Sequence, residues 1–262
     1  MFPSFVLFGK EISLYALMAL TGYLLAGVVI CTIAKKKAMD ENMVIQFFLI
    51  CTVGVFLGGH LLYGITNLHM VYQVFFVLEN PDGLWSILQK IVLIFGGSVF
   101  YGGLLGGIGT GFWYARRKKL SLGEYADLAA VGIPLFHGFG RIGCFLGGCC
   151  YGIECPVGFV FQNSLVEAAN GVSRFPVQLV EAGFEFLLFG LLLWMTGKGL
   201  QKNNRIFWYL GLYAVGRFLL EFLRGDVIRG FVGGLSTSQW ISLALLAGIL
   251  IVKISRRKAV AE

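Results

Sequence analysis

The chain has 262 residues, of which 57% are hydrophobic and only 13% are charged, and its formal net charge is +7. Soluble domains carry a charged fraction of about 25%, so this composition, with a mean hydropathy of +0.80, excludes a large soluble core. It predicts an all-α polytopic membrane protein. No stretch between the apolar segments is long enough for a second domain, so we expect one integral membrane domain over residues 1–262.

Seven apolar windows approach the ~20 residues that a helix needs to cross the hydrocarbon core of a bilayer. They are Leu14–Ala34, Met43–Asn67, Ile87–Ala115, Tyr125–Leu146, Phe175–Thr196, Ile206–Arg224 and Ser238–Ile254. We therefore predict about seven transmembrane helices.

Basic residues follow the odd-numbered windows. They are Lys35–Lys37, Arg116–Lys119, Lys198, Lys202, Arg205, Lys253 and Arg256–Lys258. With seven spans all four clusters fall on the same side, and cytoplasmic loops are the ones enriched in lysine and arginine. The pattern predicts an outside N-terminus and a cytoplasmic C-terminus. It also accounts for the positive net charge without nucleic acid as a partner.

The first two windows carry a few polar or small residues in apolar settings. Tyr15 is typical either of an interfacial anchor or of a hydroxyl that points into a cavity. Gly54 and Gly58 form a small-xxx-small pair, which predicts a close helix crossing. His60 follows; an intramembrane histidine is more often a hydrogen-bonded structural group than a proton carrier, although histidine serves in both ways.

The third window is unusually rich in glycine. It contains the pairs Gly96-Gly97, Gly102-Gly103 and Gly106-Gly107 within a dozen residues. Each glycine weakens a helix by about 1 kcal/mol relative to alanine. This predicts a kinked or interrupted element that lines a cavity, where irregular backbone is tolerated in a membrane. A phosphate-binding loop is a weaker interpretation, because no P-loop lysine pattern follows.

The fourth window carries His137 and Arg141 one helical turn apart and breaks at Gly147-Gly148. An arginine inside an apolar segment is costly unless it faces a polar cavity or a partner, so it indicates a functional site. The alternative is a packing arginine whose charged head reaches the interface.

Four cysteines cluster where this window ends. They are Cys144, Cys149, Cys150 and Cys155, whereas Cys31 and Cys51 are isolated in apolar windows and fit small core positions. A structural role or a disulfide is the first interpretation, since an outer compartment permits a disulfide, and reactive thiols are the second. A metal is the least favoured, because C-x4-CC-x4-C is not a standard zinc spacing. We therefore expect no metal and no cofactor.

The fifth and sixth windows add a second polar surface. Gln178 and Glu181 share one helix face. Tyr213, Arg217 and Glu221 recur every four residues, and Arg224 follows three residues later; together they form a polar stripe on an apolar helix. With Arg141 these arginines would form a basic pocket, and guanidinium suits phosphate. The alternative is a structural ion pair between Arg217 and Glu221.

At these residues the sequence resembles the prolipoprotein diacylglyceryl transferases, bacterial inner-membrane enzymes with seven spans. The resemblance runs along nearly the whole chain. It includes the region of Tyr15, the stretch from Gly54 to Tyr63, the glycine-rich third window before Arg116-Arg117, Gly140-Arg141-Ile142-Gly143 with Gly152 after it, Arg174-Phe175-Pro176-x-Gln178-Leu179-x-Glu181, and Tyr213-x-x-x-Arg217-x-x-x-Glu221-x-x-Arg224.

The resemblance implies transfer of the diacylglyceryl group of phosphatidylglycerol to the lipobox cysteine thiol of a prolipoprotein, with a thioether formed and glycerol phosphate released. It implies as partners phosphatidylglycerol, prolipoprotein signal peptides and membrane lipid, and as location the bacterial plasma (inner) membrane. The catalytic residues predicted on this basis are Arg141, Arg217 and Glu221, together with His137 as a substitute base and Tyr101 at the position of a family histidine. The substrate-binding residues are Arg141, Tyr15, Tyr63, Gly102, Gly103, Gly152, Gln178, Tyr213 and Arg224.

The sequence departs from the family pattern at three positions. Tyr101 stands where the family usually has the histidine of a His-Gly-Gly motif, and Cys144 and Cys149 replace an asparagine and a glutamate. A proposed base is therefore missing, and His137 or His60 would have to replace it. The departures leave open a divergent transferase with another donor or acceptor, or a non-catalytic protein that binds or transports anionic lipid.

Overall fold

The computed structural model describes residues 3–68, 85, 89–90, 94–164, 166–226 and 230–261. Long helices dominate this part of the chain, beside three two-stranded antiparallel sheets. The helices are α1 Leu14–Lys36, α2 Glu41–Thr66, α3 Phe100–Lys118, α4 Leu122–Gly147, α5 Val177–Gly197, α6 Arg205–Leu220 and α7 Thr237–Ala261. The strands are β1 Ser4–Leu7, β2 Lys10–Ser13, β3 Glu154–Val160, β4 Ser173–Arg174, β5 Phe231–Val232 and β6 Leu235–Ser236.

Six described helices are long and apolar enough to cross a membrane: α1, α2, α4, α5, α6 with the 3₁₀ turn Glu221–Leu223, and α7. The prediction of an all-α polytopic membrane protein is thus confirmed. Six predicted windows match helices that begin within three residues of the expected start. The span count and the orientation stay predictions.

The third window differs from its prediction. Helix α3 begins at Phe100 rather than near Ile87, and residues 87, 88 and 91–93 lie outside the described part of the chain. The predicted interruption falls at Gly96-Gly97, in the bend before α3, whereas the two later glycine pairs lie within a continuous helix. Their glycines are explained by packing rather than by a break.

The chain divides into two compact units. One comprises Met1–Ile33 and Ala126–Glu262, and the other comprises Ala34–Tyr125. The single domain over residues 1–262 stays a prediction.

In the first unit, aromatic rings of one helix pack against glycines of a neighbouring helix. A Cβ on Gly138 of α4 would lie 2.6 Å from the ring of Phe186 on α5, and one on Gly216 of α6 would overlap the ring of Phe184. On the α1 side, a Cβ on Gly22 would lie 2.7 Å from Phe139. Close approach through glycine is the usual way to pack helices that have no hydrophobic driving force between them. It holds α4 between α1 and α5.

A buried ion pair lies near the N-terminal end of α4, at the end of the helix opposite to the cysteines. Asp127 of α4 accepts from Arg205 Nη1 at 2.9 Å, and its carboxylate also accepts from the backbone N–H groups of Asn203 and Arg205 at 2.7 and 2.8 Å. Asp127 thus caps the N-terminus of α6, where unpaired backbone donors need acceptors. Arg205 belongs to the basic residues that follow the fifth window, and its side chain is 1% exposed because it forms this ion pair. Its place on the cytoplasmic side stays a prediction.

In the second unit, α2 and α3 cross closely through glycine. A Cβ on Gly58 or Gly54 would overlap the backbone carbonyl of Gly102 or Gly106, respectively. The hydroxyl of Thr110 donates to the carbonyl of Ile50 at 3.2 Å, which ties the helices together a turn further on. The predicted close crossing at Gly54 and Gly58 is confirmed.

Candidate functional site

A buried cluster of charges joins α4, α5 and α6 in the first unit. Arg141 Nη2 donates to Glu181 Oε2, and Arg217 Nη1 lies 3.5 Å from the same oxygen. Arg217 Nη2 also pairs with Glu221 Oε2 at 2.7 Å. One carboxylate on α5 therefore holds two guanidinium groups that come from different helices, and charges at this depth are retained only when they are paired or used.

Each arginine keeps a buried N–H donor without a hydrogen bond in the described part of the chain, although Arg217 Nη1 also forms the ion pair with Glu181 at 3.5 Å. Among the described residues, Arg141 Nε and Arg217 Nη1 are buried and have no hydrogen-bond partner. A buried donor left unpaired costs about 1–3 kcal/mol, a cost that a bound anion would remove. Two guanidinium groups fixed side by side suit the oxygens of a phosphodiester, since arginine binds phosphate through paired N–H donors.

His137 lies in the same cluster. Its Nδ1 is 2.9 Å from Glu185 Oε1, and its Nε2 is 3.9 Å from Glu181 Oε1. Its ring packs against Tyr213 of α6, with centroids 5.5 Å apart. A carboxylate on one ring nitrogen fixes the tautomer and the orientation of the ring. The structure therefore brings together four residues predicted from sequence: His137, Arg141, Arg217 and Glu221.

Two acidic residues at the centre of this cluster were not among the predicted site residues. Glu181 was placed on a helix face with Gln178 and within a motif of the family resemblance, and Glu185 was missed, although their side chains are 3% and 0% exposed. The signal was present in the sequence. Glu185 follows Glu181 by four residues and Gln178 by seven, so all three lie on one face of α5.

Arg224 and Gly152 belong to a neighbouring part of the site. Arg224 forms two hydrogen bonds with the Asp226 carboxylate, at 2.9 and 2.6 Å, and its backbone bridges to Gly152. A Cβ on Gly152 would overlap the carbonyl of Phe175 and lie 3.0 Å from that of Leu223. Gly152 is thus required where three backbone segments meet.

The four cysteines in and after the last turn of α4 are free thiols, as are Cys31 and Cys51. The disulfide that the sequence favoured is not formed. The sulfur atoms of Cys144, Cys149 and Cys150 all lie within 4.8 Å of one another, and Arg141 Nη1 donates to Cys144 Sγ at 3.7 Å. Hydrogen bonds with the Cys144 and Cys149 thiols lower the pKa of the Cys150 thiol against the effect of burial, and the charge of Arg141 lowers it further.

Two other predicted residues lie beside these cysteines. Gln178, at 0% exposure, donates from Nε2 to the Cys149 carbonyl at 2.8 Å. A Cβ on Gly143 would lie 3.1 Å from Tyr15 Cα. Tyr15 is thus packed against α4 next to Cys144, although about half of its surface, 48%, remains exposed.

Comparison with known protein families identifies the family to which this cluster of arginines, carboxylates and thiols belongs. A family model described as prolipoprotein diacylglyceryl transferase matches residues 3–254. The chain belongs to this family.

Three relatives show how far the similarity extends. The chain is 37% identical over 256 residues to the phosphatidylglycerol–prolipoprotein diacylglyceryl transferase of Clostridium tetani, which covers 96% of each protein. It is 34% identical to the second such transferase of Clostridium perfringens, over 96% of this chain and 94% of the relative. It is 32% identical to that of Geobacter sulfurreducens, over 95% of this chain and 93% of the relative.

The remaining positions predicted from the diacylglyceryl transferase pattern lie in the second unit, and their roles stay predictions. Gly102 packs on Gly58, a Cβ on Gly103 would lie 3.1 Å from the Val55 carbonyl, and the ring of Tyr63 fills the space beside Gly97. Tyr101 lies in the first turn of α3 with 40% of its surface exposed.

His60 has a structural task in this unit. Its Nδ1 lies 2.8 Å from the Phe95 carbonyl and 2.7 Å from the Gly97 carbonyl. Because carbonyl oxygens only accept, Nδ1 must carry the proton. His60 thereby holds the bend that precedes α3, in keeping with the structural role that intramembrane histidines more often have.

Proposed function

We propose that the chain transfers the diacylglyceryl group of phosphatidylglycerol to the lipobox cysteine of prolipoproteins, as a multi-pass protein of the bacterial plasma membrane. The observation that carries this proposal is the pair Arg141 and Arg217, which converge on Glu181 and keep buried donors unsatisfied. The oxygens of a phosphodiester match the paired N–H donors of these two guanidinium groups. The similarity to transferases whose names specify phosphatidylglycerol and prolipoprotein supports the choice of substrates.

In the proposed reaction the acceptor sulfur forms a bond to the terminal glycerol carbon of the diacylglyceryl group, and the bond from that carbon to the phosphate oxygen breaks. The electron pair leaves with the phosphate, so negative charge grows on glycerol phosphate. Arg141 and Arg217 would stabilise this charge, which is the kind of contribution that fixed donors make in a water-poor site. The thiol proton must leave before or during attack, because the thiolate is the nucleophile.

The surrounding residues support this arrangement. Glu181 and Glu221 would orient the two guanidinium groups, since each accepts from at least one of them. Tyr213, beside His137, would contribute to the same surface. Gly152 and Arg224 would bound the site near the cysteines, and Gln178 would hold the segment that carries Cys149.

Complementation tests the proposed function. We expect this chain, expressed in bacteria depleted of their own diacylglyceryl transferase, to restore growth and the lipid-dependent mobility shift of a reporter prolipoprotein. A reporter whose lipobox cysteine is replaced by serine should show no shift, which serves as the control for the acceptor atom. A chain that reaches the membrane in normal amount but leaves the reporter unmodified would contradict the proposal and indicate another acceptor.

His137→Gln tests the proposed base. If the imidazole removes the thiol proton, the substitution should lower kcat by about 10²–10⁴-fold, the range that general acid–base catalysis contributes. Phosphatidylglycerol binding should change little, because both arginines keep Glu181. The measurement is kcat and KM with a synthetic lipobox peptide as a function of pH. Full transfer by His137→Gln with an unaltered pH profile would rule the histidine out.

A further inference from the structure

Three thiols meet at the C-terminal end of α4. The sulfur atoms of Cys144, Cys149 and Cys150 lie within 4.8 Å of one another; Cys144 is buried and the other two are half-buried. Cys155 is not part of this group, because its thiol donates to the Val157 carbonyl at 3.4 Å. The sequence spacing made a metal the least favoured interpretation of these cysteines. The fold instead favours a metal, because it brings three potential ligands to one point.

The end of α4 explains why the thiols converge. Gly148 has φ +75°, and the backbone N–H groups of Gly148 and Cys149 donate to the carbonyls of Phe145 and Cys144 at 3.2 and 3.1 Å. These are the two hydrogen bonds of a Schellman C-cap, which places the second residue after the cap against the helix's last turn. That pair is normally apolar, and here it is Cys149 on Cys144. Cys150 then adopts φ +54°, a conformation in which non-glycine residues are uncommon.

Hydrogen bonds from other parts of the chain also fix the backbone that carries Cys149 and Cys150. Gln178 Nε2 donates to the Cys149 carbonyl at 2.8 Å, which ties the two outer cysteines to the first turn of α5. Beyond them, the backbone N–H of Gly225 donates to the Tyr151 carbonyl at 3.0 Å. Fixed backbone on both sides orients the sulfur atoms, as supporting hydrogen bonds do around metal ligands.

We propose that Cys144, Cys149 and Cys150 bind one zinc ion and that its fourth position takes the acceptor thiolate of the prolipoprotein. This inference rests on the proposed function and deepens it. Zinc prefers four ligands in a tetrahedron with Zn–S distances of about 2.3 Å, and catalytic sites keep one position for water or substrate. Sulfur atoms already this close need only small shifts to reach that geometry.

Local charge supports the assignment. Three thiolates and one Zn²⁺ carry a net charge of −1, and the thiolate of the acceptor makes it −2. Arg141 donates to Cys144 Sγ at 3.7 Å and so partly balances this charge. The same guanidinium belongs to the pair proposed to hold the phosphodiester. The zinc-bound acceptor would therefore lie beside the lipid carbon that it attacks, and the site supplies a nucleophile where Cys144 and Cys149 replace the family's usual asparagine and glutamate.

The step balances without a redox partner. Zinc binding favours loss of the acceptor's thiol proton, since a coordinated thiol is deprotonated. The proton passes to the base proposed above, His137. The acceptor sulfur then forms its bond to the glycerol carbon, the C–O bond breaks, and its electron pair leaves on glycerol phosphate, whose phosphate gains one negative charge. The thioether product has no charge on sulfur and binds zinc weakly, so it dissociates. Zinc and the three cysteines keep their oxidation states.

Metal content is the first measurement. The full chain, purified in detergent under reducing conditions, should contain one zinc ion per molecule by mass spectrometry. Cys155→Ser is the matched control and should retain it, whereas Cys144→Ser and Cys149→Ser should lose it. Cobalt added to metal-stripped wild-type protein should give sulfur-to-cobalt charge-transfer absorption that iodoacetamide treatment beforehand removes. Wild-type protein without stoichiometric zinc and without this absorption would overturn the proposal, however the variants fold.

Activity separates the two proposals. Removal of zinc with a chelator should abolish transfer to a lipobox peptide, and added zinc should restore it. Transfer that persists undiminished in metal-free protein would overturn the zinc inference and leave the transferase assignment intact. No transfer by zinc-loaded, folded protein under any condition would instead contradict the proposed function and with it the inference that rests on it.

Discussion

Replacing Arg141 with lysine should lower kcat/KM for diacylglyceryl transfer by about 10²–10³-fold, the cost of removing one fixed donor from an oxyanion site. Lysine keeps the positive charge, so the change tests geometry rather than charge. Arg141 uses Nη2 for Glu181 and Nη1 for Cys144, and its buried Nε has no hydrogen-bond partner among the residues that the structure describes. A single ammonium group cannot serve all three directions, because it lacks the planar fork of guanidinium.

The effect should divide between kcat and KM in an informative way. If Arg141 mainly stabilises the charge that grows on the leaving phosphate, kcat should fall more than the affinity for phosphatidylglycerol, because only interactions that strengthen in the transition state accelerate the reaction. Arg217→Lys should behave similarly, since Arg217 shares Glu181 through Nη1, a buried donor that forms no hydrogen bond within the described part of the chain.

The measurement is transfer from phosphatidylglycerol in mixed micelles to a fluorescent lipobox peptide. Arg116→Lys is the matched control: Arg116 is exposed at the end of α3, with its guanidinium 4.6 Å from the Phe112 ring, and it should tolerate the change. Wild-type kcat/KM in folded Arg141→Lys would show that the guanidinium does not contact the reacting phosphate.

The membrane architecture could be predicted from sequence because apolar length is almost the only requirement for a spanning helix. The start of α3 could not be predicted as well. Its first residue, Phe100, follows a bend that His60 holds through the carbonyls of Phe95 and Gly97. That contact joins residues more than thirty positions apart, so no local pattern reports it.

In the site, too, local features could be predicted from the sequence, whereas contacts between helices could not. The spacing of Tyr213, Arg217 and Glu221 predicted a polar stripe, and helix geometry delivers it. The arginines were expected to form a basic pocket, yet Glu181 lies between Arg141 and Arg217 and offsets much of their charge. Which carboxylate neutralises which arginine depends on how three helices pack, and a sequence read one helix at a time does not contain it.

The cysteines illustrate a local pattern whose meaning was read wrongly. The compartment favoured a disulfide, but the thiols are free and three of them converge. The glycines that cause this were visible: Gly147-Gly148 marks a helix end, and the Schellman cap at Gly148 joins Cys149 to Cys144. Counting residues between cysteines treats the chain as extended, whereas a C-cap folds five residues back on themselves.

Removal of the buried carboxylate at the other end of α4 should have the largest effect on stability. Asp127→Ala leaves Arg205 without its partner at 1% exposure, and an uncompensated buried charge costs about 3–5 kcal/mol. It also leaves the backbone N–H groups of Asn203 and Arg205 without the carboxylate that accepts from them. With about 2–4 °C per kcal/mol for a chain of this size, the thermal midpoint should fall by about 6–20 °C.

A double variant separates charge from packing. Asp127→Leu with Arg205→Met removes both charges and keeps most of the volume, so it should recover much of the loss, as buried ion pairs replaced by apolar residues often do. Recovery should be incomplete, because the two backbone donors still lack acceptors at about 0.5–1.5 kcal/mol each. Thermal unfolding in one detergent, followed by tryptophan fluorescence, measures all three proteins. An Asp127→Ala midpoint equal to that of wild type would show that solvent or lipid head groups reach Arg205. A double variant less stable than Asp127→Ala would show that capping rather than charge sets the stability of this end of α6.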